Sequence, residues 1–331
     1  MTGHPLPPLL QAFFTDRLIN QLGASPNTVA SFRDAFRLLL NFAEKDTGKR
    51  PTDLLVEDVD AGLVGRFLDH LECDRRNSAR TRNVRLTAIR SFFGHVSRCE
   101  PALLDHCRQV LAMPSKRFEQ RMIEYLDETE IKALIAAPDT GSRQGRRDRA
   151  LLLLMVQAGI RVSELTGLDR GDVELGTGAH VRVSGKGRRQ RSTPLREDAA
   201  EALREWLRER RGDDGQPLFP SNRNRRLSRD AVAWIVGKHV NQAAQSCPSL
   251  RKKRISPHSL RHTAAMSLLR EGVPITVIAL WLGHQSVEST MKYLHADPKV
   301  KEDAMERTRP VDVPPGRYQP EEQVMAFLES L

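Results

Sequence analysis

The sequence predicts a mainly α-helical protein with one small antiparallel β-sheet. Apolar residues recur at helical spacing along most of the 331 residues, which favours helices. Short segments of alternating apolar and polar residues, separated by glycines, lie near residues 173–195 and are typical of a few paired strands. A chain of this length is also sufficient for about two domains, each with its own core.

Residues 1–112 are predicted to form a helical domain. Ser25-Pro26-Asn27-Thr28 marks a helix start, because a serine cap and an early proline suit the first turn. The stretch from Leu63 to Leu71 has helical periodicity as well. A further helix starts at Ser78, and its apolar stripe consists of Leu86, Ile89, Phe92 and Phe93.

Three arginines on that last helix, Arg80, Arg82 and Arg85, lie off its apolar stripe. Basic side chains on one helix face suit contact with a phosphate backbone. We therefore predict that they bind DNA or another polyanion, the alternative being a solvated basic face.

Charged and proline-containing stretches divide the chain. Residues 113–124 are interpreted as a linker, because the stretch that begins at Met113 is charged and contains a proline. Residues 125–309 form the predicted second domain. Residues 310–331 comprise a segment with four prolines and a short terminal helix, whose apolar stripe is Val324, Phe327, Leu328 and Leu331.

The second domain begins with helices and contains the predicted sheet. Asp127 to Glu130 can cap a helix, and Arg149 to Ala158 is a strongly apolar helix. Strands are predicted at 173–175, 180–184 and 191–195, with glycines in the turns between them. Helices resume from Asp198.

The net charge of +10 and the pI near 9.8 suit a polyanionic partner, either nucleic acid or an acidic membrane surface, and we favour nucleic acid. The longest apolar run, Leu151 to Val156, is far shorter than the roughly 18–20 residues that span a bilayer. The N-terminus lacks the features of a signal peptide. Four cysteines stand far apart, which argues against a zinc ribbon or a disulfide framework and favours a reducing cytoplasm.

Two basic motifs occur in the second domain. In the segment from Gly159 to Leu165, a glycine that ends a helix precedes Arg161, and Glu164 is close enough to orient its guanidinium. A surface ion pair is the alternative. The segment from Ser184 to Arg191 is a basic turn with glycines on both sides of Lys186, followed by Arg188 and Arg189. It lacks the pattern of a P-loop, and a solvated hairpin is equally compatible with it.

A third motif, Ser256-Pro257-His258-Ser259-Leu260-Arg261-His262, marks another helix start. His258 and Arg261 share one face at its positive end, which is a natural phosphate site. His258 and His262 are four residues apart and can instead be interpreted as metal ligands, but such a site needs a third ligand and no glutamate is placed as in a zinc protease.

The fourth motif combines Gly283-His284, at a predicted helix end, with Tyr293. In the following helix Val287, Thr290, Met291 and Leu294 are predicted to be buried. Tyr293 lies off this stripe, which favours a reacting role over a place in the core.

Taken together, the motifs occur in the order Arg, Lys, His-x-x-Arg, His, Tyr, and in this the chain resembles the tyrosine recombinase (phage integrase) family over almost its whole length. The resemblance implies a helical N-terminal core-binding domain followed by an α+β catalytic domain. It also implies that Tyr293 attacks the scissile phosphate and forms a 3′-phosphotyrosyl bond. Arg161 and Arg261 would hold the phosphate oxygens.

The remaining roles also follow from the resemblance. Lys186 would protonate the leaving 5′-oxygen, His258 would assist proton transfer from Tyr293, His284 would bind the phosphate, and Glu164 would support the arginines. No metal and no cofactor are expected, because the arginine charges can replace metal ions and the covalent bond conserves the phosphodiester energy.

Family resemblance further implies double-stranded DNA recombination sites as substrate and assembly into a tetramer on DNA. A second recombinase or an accessory protein is a further expected partner, no membrane is expected, and the expected location is the bacterial nucleoid in the cytoplasm. The C-terminal stripe is interpreted as a docking helix for a neighbouring subunit or, alternatively, for its own domain.

Other functions are compatible with parts of the pattern. A type IB topoisomerase has a similar pocket, a silent DNA-binding factor would need no pocket, and a nuclease would need a metal at His258 and His262. Among recombinase roles, we favour a mobile-element integrase or transposase over chromosome-dimer or plasmid resolution, because about 38 residues (331 − 293) follow Tyr293.

Overall fold

The computed structural model describes residues 3–119, 123–185, 190–210 and 212–294. The chain divides into two compact units, with the boundary between Gln120 and Arg121. In the part of the chain that the structure describes, the first unit has one hydrophobic core and the second has two core clusters, within an architecture of helices and one small sheet. The predicted fold class is confirmed. Among these described residues, no helix is both long enough and apolar enough to cross a membrane.

Within residues 3–119, the first unit is built from five α-helices and short connecting turns. Ser25 and Ser78 cap α2 and α4 as predicted, and their hydroxyls accept hydrogen bonds from the Thr28 and Thr81 N–H groups (3.2 and 3.3 Å). The helices are α1 (Leu6–Ala12), which continues as a π-helix (Phe13–Gln21), α2 (Pro26–Thr47), α3 (Ala61–Cys73), α4 (Ala79–Cys99) and α5 (Leu104–Ala112).

Part of the predicted linker is bound to this unit. The Asn83 side chain on α4 donates to the Lys116 carbonyl (2.7 Å) and accepts from the Lys116 N–H (3.0 Å). The Lys116 ammonium forms an ion pair with Glu72 (3.0 Å). The chain therefore remains attached to the first unit at least as far as Lys116.

In the second unit, a three-stranded antiparallel sheet follows the first three helices. The strand order is β1-β2-β3, and Val181 and Val183 of β2 pair with Thr193 and Arg191 of β3. The elements are α6 (Glu128–Ala136), α7 (Arg143–Ala158), α8 (Val162–Gly167), β1 (Val173–Glu174), β2 (His180–Ser184), β3 (Gln190–Pro194), α9 (Glu197–Glu209), α10 (Arg229–Ala243), α11 (Pro257–Arg270), α12 (Ile275–Leu282) and α13 (Glu288–Met291).

Helix α7 is the central element of this unit. It starts at Arg143, earlier than the predicted start at Arg149, and it packs against α6, α9 and α11. Almost all of its side chains from Ala150 to Ala158 are buried. A second core cluster joins α11 and α12 and includes Leu282 and Tyr293.

Candidate active site

The end of α7 positions the first predicted site residue. Gly159 adopts a left-handed conformation (φ 59°) and ends the helix. A Cβ atom at this position would lie 2.6 Å from the Leu282 side chain, so both the backbone conformation and the close packing require glycine. The chain then turns, and Arg161 becomes the N-cap residue of α8.

Glu164 lies beside Arg161, as predicted from the sequence. Its carboxylate accepts hydrogen bonds from the Arg161 backbone N–H (2.9 Å) and guanidinium (2.7 Å). Arg191 on β3 donates to both oxygens of the same carboxylate (3.2 and 2.9 Å). Burial alone raises the pKa of Glu164, but the hydrogen bonds from Arg191 and Arg161 outweigh it and lower the pKa overall. Glu164 is therefore an ionised anchor for two arginines.

Three arginines converge on the carboxyl end of α12. Three consecutive carbonyl oxygens at this end each accept a hydrogen bond from a different guanidinium, and the aligned peptide dipoles make this end of a helix partly negative. The pairs are Arg191 Nε with Trp281 O (3.0 Å), Arg261 Nη2 with Leu282 O (2.7 Å) and Arg161 Nη2 with Gly283 O (3.3 Å). Arg261 also donates to Gly159 O at the end of α7 (2.6 Å).

This arrangement concentrates positive charge. The guanidinium groups of Arg161, Arg191 and Arg261 lie near the single carboxylate of Glu164. The described members of the cluster therefore carry a net charge of +2 (3 − 1). Burial, and then the charge of Arg161, lowers the pKa of Arg261 to about 10, which leaves it protonated at neutral pH. The Arg161 side chain is 38% exposed, so the cluster is open to solvent at this residue. Such a cluster can bind an anion the size of a phosphate group.

His284 follows Gly283, which ends α12 in the left-handed conformation as predicted (φ 64°). Its Nδ1 atom is hydrogen-bonded to the Thr290 hydroxyl (2.7 Å). Burial, and then the charges of Arg261 and Arg161, lowers the pKa of His284 to about 4. The imidazole is therefore neutral at neutral pH.

Tyr293 is in the core, and the prediction that it lies off a buried stripe was wrong. Its side chain is completely buried, whereas Val287 and Met291 of the predicted stripe are 40% and 42% exposed. The helix that carries the stripe, α13, has only four residues and ends at Met291. Helical spacing therefore does not predict where the Tyr293 side chain lies. Burial raises the pKa of Tyr293 to about 12, although the charges of Arg261 and Arg161 oppose this.

The Tyr293 hydroxyl is hydrogen-bonded to Nδ1 of His262 (2.9 Å). Burial, and then the nearby charge of His258, lowers the pKa of His262 to about 3. His258 lies one turn earlier on α11, is exposed, and has its ring centroid 4.3 Å from that of His262. Where the chain is described, no group of three metal-ligating side chains is found.

The other predicted site residues are dispersed. Lys186, Arg188, Arg189 and the C-terminal stripe lie outside the described residues. On α4, Arg80 is exposed, Arg82 forms an ion pair with Glu72 (3.4 Å), and Arg85 donates to the Ser31 carbonyl (3.0 Å).

Sequence reasoning missed Arg191, His262 and Thr290 as members of the site. Arg191 could have been found from the alternation of β3, because it shares the inner face of the sheet with the buried Thr193. For His262 the sequence suggests only a metal-ligand role. No local signal in the sequence distinguishes Thr290 from an ordinary core threonine.

Comparisons with known proteins give consistent matches. A model of the phage integrase family matches residues 124–299, and a model of the phage integrase N-terminal SAM-like domain matches residues 12–98. A Sinorhizobium fredii protein to which an integrase/recombinase role is ascribed, y4rC, is 49% identical over 100% of both chains. The tyrosine recombinase XerC of Pelobacter propionicus is 37% identical over 88% of this chain and 91% of its own length.

A solved structure shares the fold. The crystal structure of the XerH site-specific recombinase, bound to a palindromic difH substrate in a post-cleavage complex, aligns with a TM-score of 0.67 at 19% identity. The alignment covers 92% of this chain and 99% of the XerH chain. The range matched by the first family model contains every residue of the arginine cluster as well as His262, His284 and Tyr293.

Proposed function

The chain belongs to the phage integrase family and is a tyrosine recombinase, a DNA strand-transferring enzyme, and we propose that Tyr293 is its nucleophile. One observation carries this proposal: the fully buried Tyr293 phenol is hydrogen-bonded (2.9 Å) to His262, the residue that directly follows Arg261 of the arginine cluster on α11. A phosphate held by those arginines would bring its phosphorus atom towards the phenol oxygen.

In the proposed reaction, the Tyr293 oxygen attacks the scissile phosphorus in line and forms a 3′-phosphotyrosyl bond, while the bond to the 5′-oxygen breaks. Arg161 and Arg261 hold the non-bridging oxygens and stabilise the charge that develops on them. His284 donates a hydrogen bond to the phosphate, Lys186 gives a proton to the 5′-oxygen, and His258 assists the transfer of the phenolic proton. A second strand's 5′-hydroxyl then reverses the reaction, so no nucleotide cofactor is consumed.

The positioning of the arginines supports this mechanism. Arg261 is held at both ends of its fork by the carboxyl ends of α7 and α12, and Arg161 is held by Glu164 and by α12. Preorganised donors of this kind stabilise a transition state without having to reorganise during the reaction. Glu164 therefore supports the site without touching the phosphate.

We infer that the substrate is double-stranded DNA with recombination sites, consistent with the XerH structure, which contains its difH substrate. Exchange between two duplexes needs four strand cleavages, and we infer a tetramer on DNA, with the C-terminal stripe as the docking helix for a neighbour. A second recombinase or an accessory protein is a further inferred partner. The bacterial nucleoid is the inferred location.

We infer a mobile-element role, which is supported by the 49% identity, over 100% of both chains, to the Sinorhizobium fredii protein ascribed an integrase/recombinase role. Relatives ascribed an integrase/recombinase role and relatives named XerC both align over most of the chain. Sequencing of the genomic DNA fragments that the purified protein binds would distinguish the two roles. Fragments from the ends of a mobile element support the inference, and fragments from a chromosome-dimer resolution site contradict it.

The test of the nucleophile uses a nicked duplex selected for binding, on which cleavage traps the covalent adduct. Tyr293→Phe is expected to bind this DNA with unchanged affinity and to form no adduct, whereas the control Tyr125→Phe forms it. An adduct in Tyr293→Phe would identify another nucleophile.

Loss of the wild-type adduct in EDTA would contradict the metal-free mechanism, and relaxation of DNA without pairing of two sites would favour a type IB topoisomerase.

A further inference from the structure

His262 occupies a special place on α11. It follows Arg261 directly, it is 9% exposed, and its Nδ1 atom is 2.9 Å from the Tyr293 hydroxyl. Buried tyrosine hydroxyls need a hydrogen-bond partner, because an unpaired one keeps its full desolvation cost. The partner of this buried hydroxyl is thus a second buried and titratable group.

The direction of this hydrogen bond follows from the two ionisation equilibria. The pKa of Tyr293 is raised to about 12 by burial, so the phenol keeps its proton. The pKa of His262 is lowered to about 3 by burial, and then by the nearby charges of His258, Lys292 and Arg261. Both groups are therefore neutral near pH 7. Tyr293 donates, His262 accepts through Nδ1, and the imidazole proton is on Nε2.

The same helix turn carries a predicted phosphate ligand. Arg261 and His262 are consecutive residues of α11, and Arg261 is fixed by two backbone carbonyls. A residue on this turn that holds the phenol in place therefore also sets the distance between the phenol oxygen and a phosphate bound at Arg261. Because an error of about 1 Å in such a distance can cost about 100-fold in rate, the contact has kinetic consequences.

We propose that His262 is the positioning residue of the nucleophile: as a neutral hydrogen-bond acceptor it holds the Tyr293 oxygen in register with the phosphate site at Arg261. This assignment rests on the proposed role of Tyr293. It gives the two histidines of α11 different roles, since His258 is exposed and His262 is buried against the phenol.

Two substitutions separate positioning from other roles. His262→Phe keeps a ring but has no acceptor, and adduct formation on the nicked duplex is expected to slow by about 100-fold at unchanged DNA affinity. In His262→Asn the side-chain oxygen can replace Nδ1 as acceptor but cannot take a proton, and its rate is expected to stay within about five-fold of wild type. The dependence of that rate on pH between about 6 and 9 is expected to be the same as in wild type.

The outcomes are distinct. If the wild type itself forms no adduct, the proposed function fails. A wild-type adduct together with an unchanged rate in His262→Phe overturns only the inference about His262. A rate in His262→Asn as low as that of His262→Phe also overturns it, and a tenfold rise per pH unit in that variant would identify His262 as the proton acceptor instead.

A second measurement does not depend on whether the variants at position 262 fold. Imidazole ¹⁵N NMR of the wild-type protein is expected to show His262 in the Nε2–H form, with no titration between about pH 5 and 8. Its Nδ1 signal is expected to shift in Tyr293→Phe, in which the hydrogen bond is absent. A His262 signal in the Nδ1–H form, or one that titrates in this range, would overturn the proposal.

Discussion

Arg191 binds Glu164 through both carboxylate oxygens, with Nη1–Oε1 at 3.2 Å and Nη2–Oε2 at 2.9 Å. The Glu164 side chain is only 5% exposed, and the same carboxylate holds Arg161. The position of Arg161 at the phosphate site therefore depends on a residue of the sheet, which lies far from it in sequence.

Glu164→Gln is expected to lower the free energy of unfolding of the second unit by about 3 kcal/mol, because it leaves buried guanidinium charge uncompensated. Adduct formation is expected to fall as well, since Arg161 loses its anchor. Tryptophan fluorescence reports on this unit alone, because all three tryptophans of the chain (Trp206, Trp234 and Trp281) lie in it. The control Glu128→Gln breaks an exposed ion pair with Lys132 and is expected to leave the free energy of unfolding almost unchanged, because solvent screens such a pair. Equal losses in both variants would contradict the anchoring role.

Gly283→Ala tests the packing at the end of α12. Both Gly283 and Gly272 have positive φ (64° and 76°), so alanine carries a backbone cost of about 1 kcal/mol or more at either position. An added Cβ meets the Arg191 guanidinium at 2.9 Å in the first case and nothing within 4 Å in the second. Gly283→Ala is therefore expected to lower the unfolding midpoint and the cleavage rate more than Gly272→Ala. Similar unfolding midpoints and cleavage rates for the two variants would mean that the Arg191 side chain can move aside without loss of stability or activity.

Acid is expected to destabilise the second unit. The pKa values of His284 and His262 are lowered to about 4 and about 3, so in the folded state both stay neutral where unfolded histidine binds a proton. Their contribution to stability is complete above the ordinary pKa of about 6.5 and is lost as the pH falls towards the folded values. Between about pH 6 and 4.5 each contributes a slope of up to about 1.4 kcal/mol per pH unit.

The measurement is the free energy of unfolding of the second unit, followed by tryptophan fluorescence across this pH range. His284→Gln is expected to make the slope shallower, whereas His180→Gln at the start of β2 serves as the control. A wild-type slope that persists in His284→Gln would contradict the assignment.

The basic helix α4 gives a prediction about DNA binding. Arg80 is exposed, whereas Arg85 is committed to the Ser31 carbonyl. Arg80→Ala is expected to reduce the slope of log affinity against log salt by about 0.9, the value for one phosphate contact. Arg85→Ala is expected mainly to destabilise the first unit. The salt dependence of binding to the selected duplex, together with thermal unfolding, checks both. A salt slope unaffected by Arg80→Ala would place this residue away from DNA.

Local signals in the sequence predicted much of the site. Arg161 with Glu164, the Ser256 cap of α11, and Gly283 at the end of α12 all depend on neighbours within about four residues, so capping and turn chemistry reveals them. The order of the motifs then identified the family. The structure adds what the order does not show, which is that the carboxyl ends of α7 and α12 meet at Arg261 of α11.

Contacts between distant residues were beyond such reasoning. His262 and Tyr293 are 31 residues apart, and Arg191 reaches the Trp281 carbonyl across 90 residues. The interpretation of Tyr293 as off-stripe assumed that α13 continues, but the helix ends at Met291 and the chain turns into the core cluster of α11 and α12. Tertiary packing, not periodicity, decides the environment of this residue.

The complete burial of Tyr293 has a chemical consequence for the lifetime of the protein. Nitrating and iodinating reagents, and radicals dissolved in water, attack phenols that they can reach, and Tyr125 is only partly buried. Such damage at Tyr293 would permanently disable an oxygen that has to act as a nucleophile. Because the side chain lies in the core, such reagents have no access to this oxygen as long as the second unit stays folded.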